Sequence, residues 1–104
     1  MIRKCLTMQL HRGKLREYKS RHDEIWPELV AVLKSHGVHN YSIFLNPETM
    51  QLIGYVEIEC EQRWDSIATT PTCRRWWASM RDLMEVNEDD SPKSSGLVEI
   101  FHLD

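Results

Sequence analysis

Residues 38 to 59 read VHNYSIFLNPETMQLIGYVEIE, and this stretch decides the fold. Val38 to Leu45 and Leu52 to Glu59 are rich in β-branched and aromatic residues, and Asn46-Pro47-Glu48-Thr49 between them carries turn chemistry. The pattern predicts an antiparallel hairpin. On its N-terminal side Gly37 is a natural residue to follow a helix end. That helix reaches back to His11-Arg12-Gly13, with a kink or restart at Pro27, whose ring crowds the carbonyl four residues earlier. Before the turn, Ile2, Leu6, Met8 and Leu10 alternate with Arg3, Cys5, Thr7 and Gln9, as a strand over residues 2 to 10 requires. On the C-terminal side Glu61 to Ala68 reads as a short helix with Trp64 and Ile67 inward. Thr70-Pro71 then supplies an N-cap and an N1 proline for a second amphipathic helix, where Cys73, Trp76, Trp77, Met80, Leu83 and Met84 recur every three or four residues. Residues 85 to 96 (EVNEDDSPKSSG) read as a loop long enough to act as a lid, and LVEIFHL closes the stretch as a last strand.

The resulting order, β-α-β-β-α-β, is an α+β arrangement of the ferredoxin-like split β-α-β type: one antiparallel sheet with its helices on one face. With 104 residues and 41% apolar content the expectation is a single domain over residues 1–104. Tyr41, Ile43, Ile53, Tyr55, Val98 and Ile100 put apolar groups on both faces of the strands, so the face without helices calls for a cover. A homodimer with two sheets face to face is the expected one. A net charge of −3 with both signs interspersed offers no basic face to nucleic acid. No stretch approaches the roughly 20 apolar residues of a membrane span. Cys5, Cys60 and Cys73 are odd in number and lack Cys-x-x-Cys, which suits a reducing cytoplasm better than a disulfide framework or a zinc site.

The chemistry concentrates on the first helix. Leu15, Tyr18, His22, Ile25 or Trp26, and Leu29 share one stripe, so a titratable imidazole points with the apolar residues and a phenol lies one turn before it. Arg74-Arg75-Trp76-Trp77 adds two indoles on the second helix, one expected in the core and the other, Trp77, at a cavity rim. Taken with Tyr41, these groups are what a small sugar site needs: aromatic faces for C–H surfaces, hydroxyls for hydroxyls, and an imidazole that titrates near neutrality. No Gly-rich phosphate loop, Gly-x-Ser-x-Gly elbow or metal-ligand spacing is present, which leaves proton transfer as the available chemistry. Rival readings are a core histidine bonded to a backbone carbonyl, a non-catalytic sugar-binding module, and a haem-binding dimeric α+β barrel monooxygenase with His22 as axial ligand.

Larger portions of the sequence also match a known family in order and spacing. Met1-Ile2-Arg3-Lys4, Tyr18, Arg21-His22, Ile25 to Leu29, Leu33 to Gly37, His39-Asn40-Tyr41, Arg75-Trp76-Trp77, Asn87, Ser91-Pro92 and Ser94-Ser95 resemble L-rhamnose mutarotases. The resemblance covers nearly the whole chain. It implies a cytoplasmic homodimeric α+β barrel that interconverts the α and β anomers of L-rhamnose without a cofactor. By the same resemblance His22 is the proton donor, and Tyr18, Tyr41, Trp76 and Trp77 contact the sugar. A resident imidazolium donor predicts a rate that falls as pH rises, and a tyrosine base requires a phenol pulled far below its usual pKa of about 10.

Overall fold

The computed structural model describes residues 1–104 and runs β1 (Ile2–Gln9), α1 (Leu15–Asp23), α2 (Pro27–Ser35), β2 (Val38–Asn46), β3 (Gln51–Ile58), α3 (Glu61–Ile67), α4 (Pro71–Met80) and β4 (Ser95–Leu97). The hairpin forms as expected: β2 pairs antiparallel with β3, and the turn closes through Met50 N–H to the Asn46 carbonyl at 2.8 Å and Glu48 N–H to Asn46 Oδ1 at 3.0 Å. The four-stranded antiparallel sheet has the order β2-β3-β1-β4, which is the ferredoxin-like order. Its helix-facing side carries Met8, Leu52, Val56 and Ile58, each buried, and two apolar clusters fill the layer beneath the helices. One gathers Leu10, Tyr18, Leu52, Met80 and Leu83, and the other Val38, Val56, Ile58, Ile67 and Cys73.

The first helical stretch is two helices. Residues before proline are driven out of the α region, and Trp26 is extended at φ −62°, ψ 131°, so α1 stops at Asp23 and α2 restarts with Pro27 at its first turn. Thr70 caps α4 as the sequence leads one to expect, its hydroxyl accepting from Cys73 N–H at 3.3 Å.

Two features depart from the sequence expectations. Of the expected strand over residues 97–103 only Leu97 is in the sheet; β4 begins earlier and ends there, although a bidentate Arg3–Glu99 pair still ties the tail to β1. Val98, Ile100, Phe101 and Leu103 are 78–90% exposed, since this chain offers them no apolar surface to bury against. Period-two alternation marks a strand only where burial follows. The second departure is a β-bulge in β2. His39 pairs with Glu57 and Ser42 with Tyr55, so Asn40 and Tyr41 together stand opposite Val56. Asn40 accommodates the extra residue at φ +47°, a left-handed conformation that Asn tolerates better than most residues.

Candidate active site

A cavity of about 860 Å3 lies between the sheet and the helices, mostly apolar in its walls, and all five residues singled out in the sequence line it: Tyr18, His22, Tyr41, Trp76 and Trp77. Each arrives by a different local device. Tyr18 and His22 are one turn apart on α1, their rings 4.3 Å between centroids. Trp76, on α4, meets the His22 ring edge-to-face at 5.4 Å, and Trp26 meets Trp76 in the same manner at 5.2 Å. Arg21 holds the two helices in this relation: it pairs with Glu17 on its own helix at 2.9 Å, with Asp82 just past α4 at 3.1 Å, and donates to the Ser79 carbonyl. Tyr41 reaches the cavity because of the bulge. Without it Tyr41 would pair with Tyr55 and face away from the helices; with it the ring lies over Gly54, on the cavity side.

The expectation that one indole enters the core and the other forms the rim does not hold. Both line the cavity, and both also pack against the core, Trp76 on the cluster around Leu10 and Met80 and Trp77 on that around Val56 and Cys73. Neighbouring helical positions diverge by about 100°, and the cavity is wide enough to span that angle.

His22 has a defined tautomer. Its Nδ1 lies 2.9 Å from the Tyr18 carbonyl oxygen, which can only accept, so Nδ1 carries a proton and Nε2 presents the lone pair of the neutral ring. Burial lowers the imidazole's pKa below 6.5, partly offset by that carbonyl and by the charge of Asp23. At neutral pH the ring is therefore uncharged, and it accepts a proton before it gives one. Both tyrosines go the other way: burial raises the Tyr18 phenol above its ordinary range, with Tyr41 adding to it, and pushes Tyr41 up to about 12. Tyr41 is nonetheless 38% exposed, since it borders the cavity: solvent touches the ring while protein surrounds it on the other sides. Neither phenol ionises near neutrality. Each is a hydroxyl for hydrogen bonding and neither is a base.

Three features escaped the sequence reading. Trp64, expected simply inward, also lines the cavity beside Tyr41, ring centroids 6.2 Å apart. The bulge that aims Tyr41 had a signal in Asn40, a residue suited to positive φ, but hairpin alternation concealed it. Residues 85–94 are a shaped wall: Asn87 N–H donates to the Ser91 carbonyl at 2.8 Å, Lys93 N–H to the Glu85 carbonyl at 3.1 Å, and the Asn87 amide to Ser91 Oγ at 3.0 Å. Asn87, Asp90, Ser91 and Ser94 from this wall add hydrogen-bonding groups to a cavity whose walls are mostly apolar.

Residues 3–103 match the L-rhamnose mutarotase family. An L-rhamnose mutarotase of Opitutus terrae is 60% identical over 104 residues, 100% of both chains. The crystal structure of an L-rhamnose mutarotase from Formosa agariphila superposes with a TM-score of 0.92 at 38% identity, covering 100% of each chain. A dimeric ferredoxin-like protein from an uncultured marine organism, 12% identical with a TM-score of 0.59 over 97% of this chain and 96% of its own, shares the fold alone. A sheet of ferredoxin-like order, a cavity between it and the helices, and similarity along the full length agree: the chain belongs to the L-rhamnose mutarotase family.

Proposed function

We propose that this chain interconverts the α and β anomers of L-rhamnose, with His22 moving the proton and Tyr18, Tyr41, Trp76 and Trp77 holding the sugar. The observation that carries the assignment of roles is the His22 ring itself: Nδ1 is fixed on the Tyr18 carbonyl and Nε2 is left for the cavity. At no more than a water's share of about 30 Å3 for each of roughly eleven heavy atoms, a 6-deoxyhexose fills at most about 330 Å3, so the cavity admits both ring and open-chain forms.

Nε2 takes the proton of the anomeric hydroxyl; as the C1–O1 bond becomes a carbonyl, the C1–O5 bond breaks and its electron pair goes to the ring oxygen. The imidazolium so formed then gives its proton to O5. Both oxygens hang from one carbon, so one imidazole reaches each in turn. The carbonyl of Tyr18, accepting from Nδ1–H, stabilises the transient cation. Rotation about C1–C2 and the reverse sequence yield the other anomer. His22 is thus the donor of the ring-opening proton, having first collected it. General acid–base assistance contributes about 10²- to 10⁴-fold.

The working unit is a homodimer, acting in the cytoplasm, with residues 1–104 as one mutarotase domain. Supporting the dimer, the sheet face away from the helices shows Phe44 at 66% and Leu97 at 50% exposure, with Ile53 and Tyr55 beside them. No helix is long and apolar enough to cross a membrane, and three free cysteines suit a reducing compartment.

The test is NMR saturation transfer between the anomeric protons of L-rhamnose, with and without protein, beside L-fucose and D-ribose. Exchange accelerated for rhamnose is expected. Acceleration for fucose and none for rhamnose defeats the substrate assignment.

A further inference from the structure

The bulge that turns Tyr41 into the cavity is held from the opposite side of the sheet. Asn40, at φ +47°, donates its amide to Glu57 Oε1 at 3.0 Å, and Glu57 Oε2 accepts from the Tyr55 hydroxyl at 2.9 Å. Glu57 is the residue that pairs with His39, the last regular step of β2 before the bulge, so its carboxylate sits where the extra residue must be absorbed. Nothing in the cavity touches this group: Glu57, Tyr55 and Asn40 project on the face without helices, while Tyr41, next in sequence, projects on the other. We infer that Asn40 and Glu57 are positioning residues for the sugar site, locking the β2 bulge in the register that presents the Tyr41 hydroxyl to the substrate.

A bulge always has a competitor in another register. Moving the extra residue one ladder step along β2 would set Tyr41 opposite Tyr55 and Ser42 with Ile43 opposite Gly54, while Phe44 and the residues beyond keep their partners and faces. In that alternative Tyr41 leaves the cavity and Ser42 enters it. A left-handed non-glycine residue persists where its surroundings hold it, and the side-chain bond that holds this one is Asn40–Glu57. Two hydrogen bonds to one carboxylate, Asn40 first and Tyr55 second, also hold the Glu57 carboxyl below the ordinary carboxylate range, so the acceptor remains charged across the working pH range.

The inference rests on Tyr41 being a sugar contact, and its test separates the two. Asn40→Asp keeps a residue that tolerates positive φ but sets a carboxylate against Glu57; Asn40→Gly keeps the backbone freedom and deletes the bond. Each is made in the parent and in a Tyr41→Phe background, and L-rhamnose affinity and exchange kinetics are measured on protein shown to be folded. Tyr41→Phe should weaken affinity about 3- to 10-fold. Asn40→Asp should weaken it about 5- to 10-fold and raise KM by the same factor with kcat within about twofold, since a neutral phenol binds and moves no proton. In the Tyr41→Phe background the Asn40 substitutions should change affinity less than about twofold, because the hydroxyl they displace is gone. The exchanged pair, Asn40→Asp together with Glu57→Gln, reverses the bond so that the amide on β3 donates to the carboxylate on β2, and it should recover parental affinity within about twofold. A merely structural role predicts equal losses in both backgrounds. Equal losses, or full affinity in Asn40→Asp and Asn40→Gly, would overturn the inference alone; unchanged affinity in Tyr41→Phe would overturn the contact and the inference with it.

Discussion

Replacing His22 by Asn separates catalysis from packing, because the two are worth different amounts here. The structural side is small: the Nδ1–H bond to the Tyr18 carbonyl contributes about 0.5–1.5 kcal/mol net, and the ring contacts with Tyr18 and Trp76 about as much again. A loss of about 3 kcal/mol from the low end of domain stabilities, about 5 kcal/mol, still leaves roughly 97% of molecules folded at 25 °C. The chemical side is larger. Losing a proton carrier worth about 10²- to 10⁴-fold raises the barrier by about 2.7–5.4 kcal/mol. The His22→Asn protein should therefore fold, bind rhamnose, and exchange its anomers at least about 100-fold more slowly in saturation transfer. The wild-type pH profile adds a sign. With a resting neutral imidazole the rate rises as pH climbs through the lowered pKa and is flat by neutrality. Stability follows the same group: the folded-state pKa lies below the unfolded value near 6.5, so the unfolded chain binds more protons as pH falls from there, and acidification destabilises the wild type through this residue. The thermal midpoint of His22→Asn should drop less over that window. Full exchange activity in His22→Asn, or a wild-type rate that falls as pH rises from about 5 to 7, would refute the reasoning.

Gly37→Ala should lower stability by about 1–3 kcal/mol: the residue sits at φ +80°, and an added Cβ would lie 2.9 Å from the Cβ of Glu59, which cannot swing away as a side-chain tip can. Chemical denaturation reads this directly, and a change under about 0.5 kcal/mol would contradict it. Thr70→Ala removes the acceptor for Cys73 N–H and should cost about 0.5–2 kcal/mol at unchanged sugar affinity. Phe44 and Ile53 pair across β2 and β3 on the face without helices, so the double change Phe44→Asp with Ile53→Asp should convert a dimer to a monomer in sedimentation equilibrium at micromolar concentration. A dimer that persists would place the subunit contact elsewhere.

Element order, sheet order and the break at Pro27 were legible because each rests on local chemistry: alternation, caps, turn residues and the proline ring. The site was legible in part for the same reason, since Tyr18 and His22 share a helix face at fixed spacing. Tyr41 was named for its phenol and again through the family resemblance, but its route to the cavity was hidden, because a bulge inverts the parity that strand reading assumes. The polarity of His22 was hidden as well. Whether an imidazole rests neutral or charged depends on burial and on a carbonyl one turn back, and spacing alone reports neither. The tail failed for the opposite reason: LVEIFHL has strand composition, but composition does not supply a surface to bury it.

The placement of β1 between β3 and β4 has a bearing on how the chain assembles. The β2–β3 pair joins neighbouring segments through a short turn, whereas the β1–β4 ladder joins residues from opposite ends of this sequence, Cys5 with Leu97. Closing so long a loop has a large entropic cost that three paired residues recover only once the rest of the sheet exists. Nucleation should therefore lie in the hairpin, with the β4 edge and the Arg3–Glu99 pair forming after the main barrier; substitutions there would speed unfolding and leave the folding rate almost unchanged, whereas substitutions in the β2–β3 pair would slow folding itself.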